Sequence, residues 1–256
     1  MQAAAKGKLF LVPAPLDFGC ATQTPLPDTM PSGTLTAAAR LTHWICENAK
    51  SARAYLKRID ALHPLALPLR EQQITELPRE VHKKGDHEAG RFDARPLLAA
   101  AIAGHDMGLL SEAGMPAVAD PGSSVVRAAH DLGVQVVPLV GPASLLLALA
   151  ASGLNGQNFA FVGYLPQDAA QRVTRIRELE AIALMHGQSQ LFIETPYRNA
   201  ALWESLTKTL QPGTRLAVGS GLTLATAAAR ALPVSAWRRE GAPVANDTPA
   251  VFAIGR

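Results

Sequence analysis

Cysteine is scarce in this chain: Cys20 and Cys46 are the whole supply. Two cysteines exclude a disulfide framework and a four-cysteine zinc site. Aromatic residues make up 5% of the sequence, so a stacking platform for single-stranded RNA would be sparse. No apolar run reaches the roughly 20 residues that a membrane helix needs. The longest, Pro142 to Leu154, falls short by about two helical turns. The stretch from Met1 to Lys8 lacks the apolar block of a signal peptide. There is no Walker sequence and no serine nucleophile elbow, and Gly219-Ser220-Gly221 stands alone without the rest of a dinucleotide fingerprint. His82, His87 and Glu88 lack helical metal spacing and read as solvated loop residues, so no metal is expected. The expectation is a reduced, cytoplasmic protein without a membrane segment.

What is present suits a globular fold: 48% hydrophobic and 18% charged residues over 256 positions. Basic residues exceed acidic ones by 24 − 21 = 3. That permits a nucleic-acid partner without requiring one.

Short apolar runs alternate with helical patterns. Strands are expected at Leu9 to Val12, Thr42 to Cys46, Leu65 to Leu69, Met107 to Leu110 and Val134 to Leu139. Between them lie helical segments at Leu35 to Leu41, Ala49 to Ile59 and Pro96 to Ala103, and a polar loop from Arg79 to Asp93. Asp120-Pro121 is expected to open the next helix, with Asp120 as its cap. This alternation predicts an α/β fold with a mostly parallel sheet. Gly141-Pro142 marks the boundary between an N-terminal α/β domain, 1–139, and a C-terminal one, 140–256. Beyond it, helices at Ala143 to Ala151 and Gln171 to Met185, and one after Thr195-Pro196, are expected. Strands at Phe159 to Gly163, Gln190 to Ile193, Leu216 to Val218, Leu232 to Trp237 and Ala250 to Ile254 would make a mixed second sheet.

Small and polar residues collect where strands end. Ser111-Glu112-Ala113-Gly114-Met115-Pro116 follows a strand and is closed by Asp120-Pro121-Gly122. Small residues there let a ligand approach the backbone. Gly141-Pro142-Ala143-Ser144 also follows a strand, and Ser144 can cap a helix or bond a ligand. Glu194 ends a strand ahead of Thr195, Tyr197 and Arg198. Glu47, Asn48 and Lys50 suit a polar substrate, although Asn48 or Ser51 serves equally well as a helix cap.

Taken in order, these motifs resemble the tetrapyrrole methylase superfamily of S-adenosylmethionine-dependent methyltransferases. Pro13-x-Pro15, Ala151-Ser152-Gly153-Leu154, and Phe161 to Pro166 with Arg172 behind it complete the series. The nearest branch methylates a cytidine ribose 2′-hydroxyl in small-subunit ribosomal RNA. The resemblance implies two α/β domains, S-adenosylmethionine folded into the cleft between them, and a homodimer. It implies donor contacts from Pro13, Leu16, Ser111, Glu112, Ala113, Ala119, Ala143 and Ser144. From the second domain it adds Glu194, the turn holding Gly219, Gly221 and Thr223, and Pro249 or Ala250.

Departures from the branch are specific. Asn48-Ala49-Lys50 stands where it has Asp-Thr-Arg, and Thr195-Pro196-Tyr197-Arg198 where it has Ser-Pro-His-Arg. Ser220-Gly221-Leu222-Thr223-Leu224 replaces Arg-Glu-Leu-Thr-Lys, losing three charges, and the sequence stops soon after the last strand. Pro13-Ala14-Pro15-Leu16-Asp17 is unlike the Gly-x-Gly-x-Gly-Asp turn of the porphyrin branch. The resemblance to the branch implies an RNA acceptor, free or in the ribosomal small subunit, while the lost charges motivate a small molecule or a non-catalytic donor-binding role as alternatives. A ribose hydroxyl needs a proton acceptor, and Glu47, then Asp17, then Glu112 are the candidates. Lys50, Arg53 and Arg198 can hold phosphate, with Asn48 and Tyr197 beside them and Lys83 and Lys84 extending the track.

Overall fold

The computed structural model describes residues 5–78, 80–81, 86 and 92–256. The chain forms two compact units. One runs to Phe18 and from Thr24 to Pro142; the other comprises Gly19–Gln23 and Ala143–Arg256. His82, Lys83, Lys84, His87 and Glu88 lie outside the described residues.

The first unit is a five-stranded sheet with order β3-β2-β4-β1-β5. Its strands are β1 (Leu9–Val12), β2 (His43–Cys46), β3 (Gln73–Glu76), β4 (Met107–Leu110) and β5 (Val136–Pro138). All four pairings are parallel. Helices therefore cover both faces, which is why β4 is buried throughout. Helices α1 (Leu26–Thr29), α2 (Ser32–Arg40) and α3 (Ala49–Asp60) line one face, where Leu35, Trp44, Leu56, Ile59 and Leu110 pack. On the other face, α4 (Ala99–Ile102) and α5 (Ser123–Asp131) bring Ala101, Val125 and Ala129 against Ile45 and Leu109. A Cβ on Gly108 would sit 2.4 Å from the Trp44 ring; glycine is what lets the indole lie flat on β4.

Two expectations fail here for identifiable reasons. The third strand is Gln73–Glu76, not Leu65 to Leu69. It is a mostly exposed edge strand without an apolar pattern, whereas Pro64 and Pro68 break up the leucine-rich run. Helix α5 starts at Ser123 rather than at Asp120-Pro121, and Gly122 precedes it with φ 136°.

The second unit is a mixed sheet, β6-β7-β10-β8-β9. It contains β6 (Phe159–Tyr164), β7 (Ser189–Glu194), β8 (Arg215–Ser220), β9 (Ala228–Pro233) and β10 (Ala250–Gly255). Only β6 and β7 pair in parallel. Helix α6 (Ser144–Ser152) packs on one face, with Leu149 against Leu191, Ala217 and Ala253. The larger core on the other face joins α7 (Ala169–His186), α8 (Asn199–Thr209) and α9 (Val234–Glu240) through Ile176, Leu206, Trp237 and Phe252. The stretch expected as one strand, Leu232 to Trp237, is split: β9 ends at Pro233 and α9 begins. Proline has no amide to extend the ladder, and its fixed φ suits a helix entrance. Ser144 is the first helical residue, and no side chain caps that helix.

Candidate active site

In the first unit, the C-terminal ends of β2 and β4 place Glu47 and Glu112 side by side. The Glu112 amide donates to the Glu47 carboxylate, and the Ser51 hydroxyl donates to Glu112 Oε1 at 3.1 Å. Asp120, from the loop after β4, joins them. Among the described residues none of the three carboxylates has a cationic partner. Burial, then Asp120 and Glu112, pushes the Glu47 pKa up to about 8. Burial and Glu112 push Asp120 up to about 6. Crowded, desolvated carboxyls resist ionising together, and such perturbation is characteristic of chemical sites. Glu47 Oε1 and Ser111 Oγ are both buried without a hydrogen-bond partner among the described residues. Such orphaned atoms await a ligand or water.

The loop from Ser111 to Gly122 is built for close approach. Ala14 and Gly114 exchange backbone hydrogen bonds of 2.9 Å, tying the loop to the exit of β1. Gly114 has φ 72° and lies against Leu16. Ala117 and Ala119 hold φ values of 63° and 67°, a left-handed conformation that costs a non-glycine residue about 1–2 kcal/mol. Ala113 is half-buried and Ala119 exposed. Pro13 presents its carbonyl to the Tyr55 hydroxyl.

Asp86 fixes the end of this loop. It is 3% exposed and accepts from the amides of Gly122 and Ser124 and the hydroxyls of Ser123 and Ser124 at 2.6–2.9 Å. Burial alone would raise its pKa, but the hydrogen bonds from Ser124, Gly122 and Ser123 outweigh that and lower it. Asp86 thus does the capping expected of Asp120, which leaves Asp120 among the carboxylates. The sequence offers no sign of this, because Asp86 lies 36 residues from Gly122 in a charged stretch that reads as loop.

Other candidates are engaged elsewhere. Asp17 is 4% exposed and accepts a bidentate pair from Arg58 at 3.0 and 3.1 Å, and the Thr24 amide at 3.0 Å. That arrangement fixes the chain after β1 and sets Asp17 apart from the carboxylate group. Asn48 caps α3, accepting from the amides of Lys50 and Ser51. Lys50 and Arg53 lie on the exposed face of α3. Cys46 is no nucleophile: burial, then Glu76, pushes its thiol up to about 12.

In the second unit, Glu194, Ala250 and Ser220 form one row across β7, β10 and β8. The row continues into the turn, where the Gly221 amide donates to Pro249 O, Gly221 has φ 57° and Thr223 φ 76°. Gly219 packs against Ala148 of α6. Glu194 is satisfied locally: its Oε1 accepts from the Thr195 amide and hydroxyl, and from Arg198 at 2.8 Å. Tyr197 is exposed, with the Arg198 guanidinium 5.3 Å from its ring centre. Among the described residues no cluster could hold a metal ion, and no helix is long and apolar enough to cross a membrane.

Comparison with known proteins adds independent support. One relative, "Ribosomal RNA small subunit methyltransferase I" of Mesorhizobium japonicum, is 39% identical over 54% of this chain and 46% of its own length. The Pseudomonas aeruginosa protein of the same name is 40% identical over 46% of this chain and 38% of its own length. The matched stretch thus spans half or less of these curated relatives. Among solved structures, the methyltransferase CobJ superposes with a TM-score of 0.58 at 17% identity, covering 98% of this chain and 94% of that one. The native form of uroporphyrin III C-methyltransferase from Thermus thermophilus gives 0.56 at 16% identity, covering 98% of each. At such identities the superpositions speak for the fold alone. The profile of the Tetrapyrrole (Corrin/Porphyrin) Methylases matches residues 34–235, and the chain belongs to that family.

Proposed function

We propose that this protein is an S-adenosylmethionine-dependent methyltransferase acting on a ribose 2′-hydroxyl of small-subunit ribosomal RNA. The observation that carries the reading is the Glu47 carboxyl, whose Oε1 has no hydrogen-bond partner among the described residues and which is crowded by Glu112 and Asp120 at the end of a parallel sheet. Ligands of open α/β sheets bind at such strand ends. The orphaned Ser111 hydroxyl and the strained alanine loop fit a polar ligand lying against the backbone. The names of the relatives at 39% and 40% identity support the RNA acceptor. The same reading implies work in the cytoplasm as a homodimer.

S-adenosylmethionine, when bound, supplies a methyl carbon already activated on a sulfonium. The protein has to align the acceptor oxygen with it, and orientation of that kind contributes about 7–11 kcal/mol. Ser111, Glu112, Ala113 and Ala119 would hold the donor. Glu47 Oε1 would take the proton from the acceptor hydroxyl as the methyl group passes to that oxygen, the carbon–sulfur bond breaking with its electron pair left on sulfur and S-adenosylhomocysteine departing. Ionised Glu47 is the competent form, so the reaction is expected to run faster on the alkaline side of neutrality.

Calorimetric titration with S-adenosylmethionine and S-adenosylhomocysteine, followed by radiolabelled methyl transfer to undermethylated small ribosomal subunits, tests this directly. Binding with transfer is expected. Binding without transfer would point to another acceptor, which the uncharged Ser220–Leu224 turn would suit. No binding would remove the reading. Ala113→Trp, which fills the loop, should abolish donor binding while the protein stays folded.

A further inference from the structure

Helix α3 carries Lys50, Arg53 and Lys57 on its solvent face, at spacings of three and four residues. They form a stripe about 10 Å long. The fold accounts for only part of it: Arg53 Nη1 donates to Ala49 O at 3.5 Å, and Lys57 lies in the last turn, where the helix dipole favours a cation. Among the described residues none of the three makes an ion pair. Arg53 and Lys57 stand one turn apart as like charges, which costs a helix rather than stabilising it. Lys50 sits in the first turn, where the helix dipole disfavours a cation. The neighbouring Arg58 shows what a structural cation looks like here: it pairs with Asp17 and donates to Thr24 O at 2.7 Å.

The amides at the start of α3 are also spoken for. Ala49 N donates to Glu76 Oε1 at 2.6 Å, and Asn48 Oδ1 takes the amides of Lys50 and Ser51. An anion arriving at this end would meet side chains, not free backbone donors. The stripe starts three residues past Glu47 and leads away from it along α3.

We infer that the Lys50–Arg53–Lys57 face of α3 is the track for the phosphates flanking the acceptor ribose. The inference rests on the proposed RNA acceptor and names the surface that would bind it. A length of about 10 Å spans two or three consecutive phosphates of a strand. The strand would enter over α3 and present a ribose to Glu47, while the purely electrostatic grip leaves base identity to other contacts. A lipid surface fits poorly, because Ala54 is the largest apolar group on this face and nothing there can insert into a bilayer.

The test is the salt dependence of binding of the full-length protein to a mixed-sequence single-stranded oligoribonucleotide. Each phosphate contact contributes about 0.7 to the slope of log affinity against log salt. The triple variant Lys50→Ala, Arg53→Ala, Lys57→Ala should lower that slope by about 2 and weaken binding at least about tenfold at low salt. Its affinity for S-adenosylhomocysteine should be unchanged, which also shows that it is folded. A control removing as much charge from the second unit, Arg177→Ala, Lys208→Ala and Arg239→Ala, should keep the native slope. If the α3 variant keeps native affinity and slope, or the control loses as much, the track is wrong while the proposed function stands. If the native protein binds no RNA at all, both fail together. Equally tight, α3-dependent binding to anionic phosphatidylserine vesicles would also overturn the RNA assignment.

Discussion

The two sheets leave their strand ends in opposite electrical states. In the parallel sheet, Glu47, Glu112 and Asp120 gather with no cation among the described residues and with one oxygen orphaned. In the mixed sheet, Glu194 is 6% exposed yet bonded by Thr195 and Arg198 within its own turn. The difference lies in the two carboxyls themselves: Glu194 meets its hydrogen-bonding needs within its own turn, whereas Glu47 leaves one oxygen open for the chemistry proposed above.

The largest effect should come from removing the open carboxyl. Glu47→Gln should lower methyl transfer by about 10²–10⁴-fold, the range for loss of a general base, with donor affinity little changed by calorimetry. The same substitution should stabilise the fold at alkaline pH. The folded pKa of Glu47, about 8, lies above the ordinary carboxylate value of 4.5. Its favourable contribution is therefore complete below the ordinary value and lost as pH rises through 8. Thermal melting at pH near 9 should show the variant above the native protein; a lower melting point would mean Glu47 is a structural residue like Glu194.

Next in size, Asp86→Ala should cost about 2–3 kcal/mol, for the lost cap and the charge-assisted bonds to Ser124 and Gly122. The native contribution is complete above the ordinary aspartate pKa and lost as pH falls through the lowered folded value, so denaturant unfolding of native and variant should converge in acid. Arg198→Ala should cost about 1–2 kcal/mol, since Thr195 still serves Glu194 and Arg198 is partly exposed. A loss of transfer exceeding that destabilisation would blur the contrast between the sheets. Smallest of all, Ala117→Gly and Ala119→Gly should each stabilise by about 0.5–1 kcal/mol, because glycine takes the left-handed conformation without strain. Chemical denaturation of the single variants resolves effects of that size.

The sequence is most legible where burial and period agree. Leu9–Val12, Met107–Leu110 and Ala250–Gly255 are central strands with continuous apolar runs, and each is found where expected. It is least legible at edges, where Gln73–Glu76 and Ala228–Pro233 are strands by virtue of pairing rather than composition. The site divides in the same way. Strand-end motifs announced Glu47, Ser111 and Glu112. Long-range satisfaction decided the rest: Arg58 lies 41 residues from Asp17 and fixes it as structural, and Asp86 releases Asp120 from capping. No local pattern encodes such partners.

The most direct measurement is the pH dependence of methyl transfer to small ribosomal subunits at saturating donor, for the native protein and Glu47→Gln in parallel. The account predicts a native rate that climbs through pH 8 to a plateau, and a variant that is slow and flat across the same range. Equal rates with the same profile for both proteins would show that the Glu47 carboxyl takes no part in the chemistry.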